Sequence, residues 1–334
     1  MPAPRAVIAR APARLDFGGG WTDVPPYCDE RGGTVCNVAV GRHATVRLAE
    51  RDAELPALAA PGRRETDDRL TRAALRRAGL DALHAEVVSD FPVSAGLGGS
   101  SAAGVALAAA VRAWHEGTAP SLDAAARDAL AEWSRAVEVE EAGIAGGRQD
   151  HYAAAHGGAL RLDFGAAAGG APCRATPIAL DAATRAALDA RCVVVYTGES
   201  RISAATITGV LDAYGAREPR VTQALARMGA LAGQMAEALG RGDVDALGAL
   251  VGEHWAHQRT LHPQIPTARI DAIVAAAARA GALGAKALGA SGGGCVLAIA
   301  APGREDALRA AVAPLGELVP VAVADEGVRA TVVA

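Results

Sequence analysis

Residues 92–104 read Pro-Val-Ser-Ala-Gly-Leu-Gly-Gly-Ser-Ser-Ala-Ala-Gly and run directly into an alanine-rich stretch. Glycines at this density let a backbone turn sharply and approach another group closely. A helix starting near Ser100 would then open onto the loop. Its first N–H groups and its dipole attract anions, and the two serine hydroxyls offer contacts to a phosphate or a metal. The segment lacks the Gly-Lys-Ser/Thr ending of a Walker loop and the strand–GxGxxG–helix order of a dinucleotide site. On glycine and serine alone, a flexible loop capped by a serine accounts for it as well as a nucleotide loop does.

The chain has 334 residues, of which 51% are hydrophobic but only 3% aromatic. That length exceeds one ordinary core and implies two domains of roughly 150–180 residues each. A formal charge of −4 leaves no basic stripe for nucleic acid. Arginine carries nearly all the positive charge, and Lys286 is the only lysine. The cysteines, at 28, 36, 173, 192 and 295, have no CxxC spacing, which argues against a disulfide framework or a zinc site. No apolar run is long enough to span a bilayer, so a cytoplasmic protein without a membrane or nucleic-acid partner is expected.

Strand patterns occupy residues 6–17, 34–40, 44–48, 84–89 and 158–164, with helical patterns at 65–78, 100–111, 122–141 and 146–156. A short Ala/Gly stretch at 165–171 marks the expected boundary between a domain at 1–165 and a second at 166–334. The second half reads as strands at 173–177, 192–196 and 296–300, and helices at 202–214, 220–239, 244–257, 268–280 and 304–314. Two terminal strands follow. Strands and helices mix without a βαβ cadence, which predicts the α+β class.

Three further segments carry candidate chemistry. Residues 10–26 deliver Arg14, Asp16, Trp21 and Asp23 to one glycine-rich loop, a set suited to a polyhydroxylated ligand; the two aspartates equally suit turn capping. Residues 138–151 place acidic groups beside the turn Gly146-Gly147-Arg148-Gln149-Asp150. Such groups could hold Mg²⁺, which takes one or two protein carboxylates, or simply form a solvated helix face. Residues 284–295 contain Gly292-Gly293-Gly294, costly unless backbone passes close by, although a β-turn with a bulge would also use it.

Taken in order, the four segments resemble the signature of the GHMP kinases (galactokinase, homoserine kinase, mevalonate kinase, phosphomevalonate kinase). The resemblance implies an N-terminal domain like domain 2 of ribosomal protein S5, a ferredoxin-like C-terminal domain and an active site in the cleft between them. It implies ATP and Mg²⁺ as cofactors, with Pro92, Gly96, Leu97, Gly98, Gly99, Ser100, Ser101 and Ala102 at the nucleotide. Ser100 and Glu138 would hold the metal, Asp150 would be the catalytic aspartate, and Arg14 would assist it. Asp16, Gly19, Gly20, Trp21, Thr22, Asp23, Gly147, Arg201, Gly292 and Gly293 would meet the substrate.

Within the family, Gly20 and Trp21 replace the acidic residue and histidine that precede Thr-Asp in galactokinases, which speaks against galactose. The segments at 18–27, 32–37, 147–152, 157–158 and 196–201 resemble heptose-phosphate kinases, and Trp21 resembles fucokinases. The implied reaction is phosphorylation of a small sugar or sugar phosphate at its anomeric hydroxyl, in a monomer or homodimer. A phosphorylated substrate needs a basic pocket, for which Arg14, Arg42, Arg148, Arg201 and Lys286 are candidates. A catalytically silent sugar sensor on the same fold is the alternative.

Overall fold

A computed structural model describes residues 6–50, 58, 63–64, 68–199 and 204–333. The first sheet contains β1 (Ala6–Gly18), β2 (Gly33–Glu50), β3 (Arg63–Arg64), β4 (Leu83–Ser89), β5 (Ala159–Phe164) and β6 (Cys173–Ile178). The second contains β7 (Cys192–Tyr196), β8 (Ala282–Ala287), β9 (Cys295–Ala300) and β10 (Glu317–Val319), in the order β10-β7-β9-β8. The chain then returns to the first sheet, where β11 (Arg329–Val333) pairs with β1. Every ladder between these strands is antiparallel, as expected for the α+β class.

The helices of the first half are α1 (Tyr27–Arg31), α2 (Asp68–Arg77), α3 (Gly99–Glu116), α4 (Ala124–Ala136) and α5 (Gln149–His156). Those of the second half are α6 (Ala182–Arg191), α7 (Ala204–Gly215), α8 (Pro219–Gly240), α9 (Val244–Gln258), α10 (Ala268–Arg279) and α11 (Glu305–Val312). Helix α3 is nearly all small residues and packs on β1 and β2, whereas α9 and α10 pack on β8.

The expected domain break at 165–171 falls inside the first sheet. Strand β6 lies beyond it yet pairs with β5 along its whole length, and β11 closes the same sheet from the far end of the chain. Composition signalled a turn there, and the turn is a hairpin connection. The two strands predicted at 34–40 and 44–48 are one strand, because β2 runs on through Gly41.

Strand β1 serves two apolar clusters. Val7, Ala9 and Ala11 lie in the one under α3, and Ala13, Leu15 and Phe17 in the one shared with α8, α9 and the second sheet. A register shift between Pro12 and Ala13 makes the transfer. It leaves Arg14 and Asp16 at the alternate positions, where the two halves of the molecule meet.

Candidate active site

The cleft is lined by parts of all four segments, among them Arg14, Gly20, Trp21, Asp23, residues 94–96 and 98–101, Glu138, Gly146, Gly147, Asp150, Gly289 and Ala290. Its floor is the open end of α3. Gly98 caps that helix at φ 75° and offers no side-chain acceptor, and no acidic residue sits in the first turn. The first-turn N–H groups and the positive end of the dipole therefore face the cleft. A Cβ at Gly98 would lie 3.3 Å from Asp150 Cγ and 3.4 Å from Arg14 Cγ, so the glycine lets the loop sit against both side chains.

Arg14 grips Asp150 with both arms of its guanidinium. Nε donates to Oδ1 and Nη2 to Oδ2, each at 2.8 Å, while Nη1 donates to the Gly96 carbonyl at 2.5 Å. Arginine thus ties the aspartate to the glycine loop in one planar fork. The Arg14 side chain is buried, whereas 26% of the Asp150 side chain remains accessible at the cleft wall.

Glu138 reaches the cleft through a break in helical geometry. After α4 the chain makes a π-helical turn over Val137–Glu141, a distortion frequent at functional sites. Glu138 is buried, 2.9 Å from His151 Nε2. His151 meets the Ser134 hydroxyl at 3.0 Å through its other ring nitrogen. Burial pushes the Glu138 carboxyl up, but hydrogen bonding and charge from His151, with the hydroxyls of Ser100 and Ser101, carry it below its ordinary value. His151 and Ser134 did not stand out in the sequence. Their signal was spacing: Ser134 and Glu138 lie four apart, and His151 follows Asp150.

Asp23 has a second role beside the cleft. Helix α5 has no side-chain cap of its own, and Asp23 Oδ2 accepts the N–H groups of Arg148 at 2.8 Å and Gln149 at 3.0 Å. It thereby positions the helix that presents Asp150. Gly147 permits this, since a Cβ there would fall 1.9 Å from Asp23 Oδ2. Burial pushes the Asp23 carboxyl up to about 6, against the two N–H bonds and with help from Asp150.

Several expected contact residues stand behind the cleft wall instead. Leu97 and Ala102 are buried apolar anchors of the loop and helix, and Pro92 is buried beside them. Thr22 is buried and uses its hydroxyl to bind the Gly19 carbonyl and the Thr34 N–H. Asp16 is paired with Lys286, and Gly19 packs against β2 and Ala232. Gly292 and Gly293 are buried, with the adjoining Gly294 close to the Ala95 carbonyl, so this segment backs the glycine loop. Arg201 lies outside the described residues.

A carboxylate and a hydroxyl beside an open helix N-terminus are a donor set that fits Mg²⁺ bound chiefly through phosphate oxygens and water. Of the two serines, Ser100 is exposed and Ser101 is buried against Glu138. Among the described residues no group of three or more His, Cys, Asp or Glu could hold a metal, and no helix is long and apolar enough to cross a membrane.

Two family models match the chain: the GHMP kinases N terminal domain over residues 68–158 and the GHMP kinases C terminal domain over residues 235–316. The chain belongs to the GHMP kinase family and is a phosphotransferase with an alcohol group as acceptor. It is 27% identical, over 89% of its length, to the bifunctional fucokinase/GDP-fucose pyrophosphorylase of Arabidopsis thaliana, of which it spans 30%. It is 25% identical to the D-glycero-alpha-D-manno-heptose 7-phosphate kinase of Campylobacter jejuni, over 87% of this chain and 88% of that one. Its fold is shared with a D-glycero-D-manno-heptose 1-phosphate kinase from Bacteroides thetaiotaomicron (TM-score 0.73, 23% identity, 98% and 99% of the two chains). Lactococcus lactis galactokinase has the same fold (TM-score 0.72, 15% identity, 99% and 96%).

Proposed function

We propose that this protein is an ATP-dependent sugar 1-kinase whose acceptor is a heptose 7-phosphate. The observation that carries the kinase reading is Asp150, held by the Arg14 fork at the cleft wall beside the open N-terminus of α3. The triphosphate lies over residues 96–101, where N–H groups and dipole offset its charge. Ser100 and Glu138 are the residues that would hold Mg²⁺, which neutralises charge on the transferring phosphoryl group when bound. Asp150 receives the hydrogen bond of the anomeric hydroxyl, and Arg14 keeps it oriented. In a loose transition state the acceptor oxygen needs little deprotonation, so aligning it in line with the γ-phosphorus is the larger part of the task. Asp23, with Gly20 and Trp21, holds the remaining hydroxyls.

The acceptor assignment rests on the heptose kinase likeness, which spans most of both chains. A free sugar such as L-fucose is the second reading, and the charge of the cleft favours it. Arg14 is the one basic residue among the described cleft-lining residues, and it is committed to Asp150. Of the other candidate cations for a substrate phosphate, Arg148 pairs with Glu132, Arg42 donates to the Pro320 carbonyl and Lys286 is fully buried. Steady-state ADP release with Mg-ATP and a panel of sugar 7-phosphates and free sugars tests both readings. Turnover with heptose 7-phosphate well above that with L-fucose is expected; the reverse ranking transfers the assignment to fucose, and turnover on no sugar overturns the kinase reading.

Asp23 imposes a pH dependence. Its folded pKa lies above the ordinary value, so its contribution to stability is full below the unfolded pKa near 4 and is lost as pH rises through about 6. Acceptor binding has the opposite sense, since a protonated Asp23 accepts fewer bonds from sugar hydroxyls. With a pKa of about 6, the acceptor KM is expected to rise roughly fourfold between about pH 7 and about pH 5.5 as the ionised fraction falls. Asp23→Asn should have a raised KM at both values and lack this dependence. An acceptor KM independent of pH in the wild-type protein would contradict the role.

A further inference from the structure

The loop that carries Trp21 and Asp23 is tethered from the other half of the molecule. Lys286, on β8 of the second sheet, donates from Nζ to the Asp16 carbonyl and to Asp16 Oδ2, both at 3.0 Å. Lys286 and Asp16 are 0% and 1% exposed at their side chains. Gly20 lies directly on this pair: a Cβ there would come 2.6 Å from Asp16 Oδ2 and 2.9 Å from Gln149 Nε2. One residue earlier, the Gly19 N–H donates to His254 Nε2 on α9 at 2.9 Å, in a fully buried contact. That bond requires a lone pair on Nε2, so the ring proton sits on Nδ1, which has no partner among the described residues.

Just beyond these two attachments the backbone is strained at Trp21. Gly19 has φ 92°, and Trp21, a bulky residue with a Cβ, has φ 77°. Such conformations persist only where the surroundings over-determine them. Here the surroundings include the Thr22 N–H and hydroxyl on the Gly19 carbonyl and, on the residues just before them, Lys286 and His254, neither of which lines the cleft.

We propose that Lys286 and His254 are positioning residues that hold the Gly18–Asp23 loop in its acceptor-binding shape across the junction of the two halves. The proposal rests on the sugar-kinase reading for the identity of the acceptor, and on the geometry alone for the tether. Lys286 acts through Asp16 beneath Gly20, and His254 acts through the Gly19 amide. Loosening either lets Trp21 and Asp23 relax and raises the acceptor KM, while the nucleotide loop, built on α3, is left in place.

His254→Leu removes the acceptor for the Gly19 N–H, and His254→Gln offers a side-chain oxygen in its place. Asp16→Asn combined with Lys286→Met removes the tether without leaving a lone buried charge. The acceptor KM is expected to rise about tenfold in His254→Leu and in the double variant, the cost of one buried hydrogen bond. The ATP KM should stay within about twofold, and His254→Gln should recover most of the loss. Hydrogen exchange of the peptide spanning residues 18–22 reads the tether without turnover and should quicken in His254→Leu but not in His254→Gln. A wild-type acceptor KM and unchanged exchange in folded His254→Leu and double variants overturn the tether and leave the sugar-kinase reading standing. Faster exchange in His254→Leu alongside a wild-type protein that turns over no sugar supports the tether and overturns that reading.

Discussion

Asp150→Asn should lower kcat by about three orders of magnitude, the scale associated with a positioned acid–base or anchoring group, while ATP binding changes little. The substitution preserves shape. It removes the charge that makes the Arg14 pair a two-pronged, charge-assisted contact, and it replaces an oxygen that accepts the acceptor's proton with an amide that donates. The α3 N-terminus, Ser100 and Glu138 are untouched, so nucleotide affinity is held by groups that the variant keeps. Steady-state kinetics and a nucleotide titration on the same preparation separate the two effects. Turnover within tenfold of wild type would remove Asp150 from the chemistry.

Lys286→Met should destabilise the fold more than Asp150→Asn or His254→Leu does. It strands Asp16 as a buried carboxylate whose Oδ1 already has no partner among the described residues, and breaking one side of a buried pair costs about 3–5 kcal/mol. For a chain of this size that corresponds to a fall in Tm of roughly 4–7 °C. Burial pushes the Lys286 ammonium pKa down, against the pull of Asp16, so the pair is held by geometry that the variant cannot replace. Asp16→Asn in the same chain should recover much of the loss, because the remaining amide no longer carries charge. Thermal melts of the single and double variants measure this, and an unchanged Tm in Lys286→Met would mean that the buried pair contributes nothing.

The candidate site was legible where chemistry sits in short runs. The glycine loop before α3, the Arg14 and Asp23 segment and the turn before Asp150 each combine unusual backbone freedom with polar or charged groups, and the structure brings Arg14, Asp23, Glu138, Asp150 and residues 96 and 98–101 to one cleft. What escaped was carried by side chains distant in sequence. His254 and Lys286 contact the residue 16–20 strand end only after both sheets have formed, and no local pattern distinguishes a histidine on α9 from one on any buried helix face. Thr22 and Leu97 sit inside motifs yet face away from the cleft, because a loop alternates between wall and backing. Helix α6 was also missed. Asp181, which caps the Thr184 N–H, was a readable start signal for it. Strand β11 could not be assigned to the first sheet from sequence, since nothing local says that a terminal strand returns across the whole chain to pair with β1.

The proposed reaction of the cleft is transfer of a phosphoryl group from ATP to the anomeric oxygen of a sugar. Phosphorus NMR of the wild-type protein with Mg-ATP and heptose 7-phosphate tests it most directly, with L-fucose as the second acceptor. The account predicts one new phosphate-ester signal coupled to the anomeric proton, growing in step with ADP. ADP accompanied only by inorganic phosphate, or a new ester coupled to any other sugar proton, would contradict it.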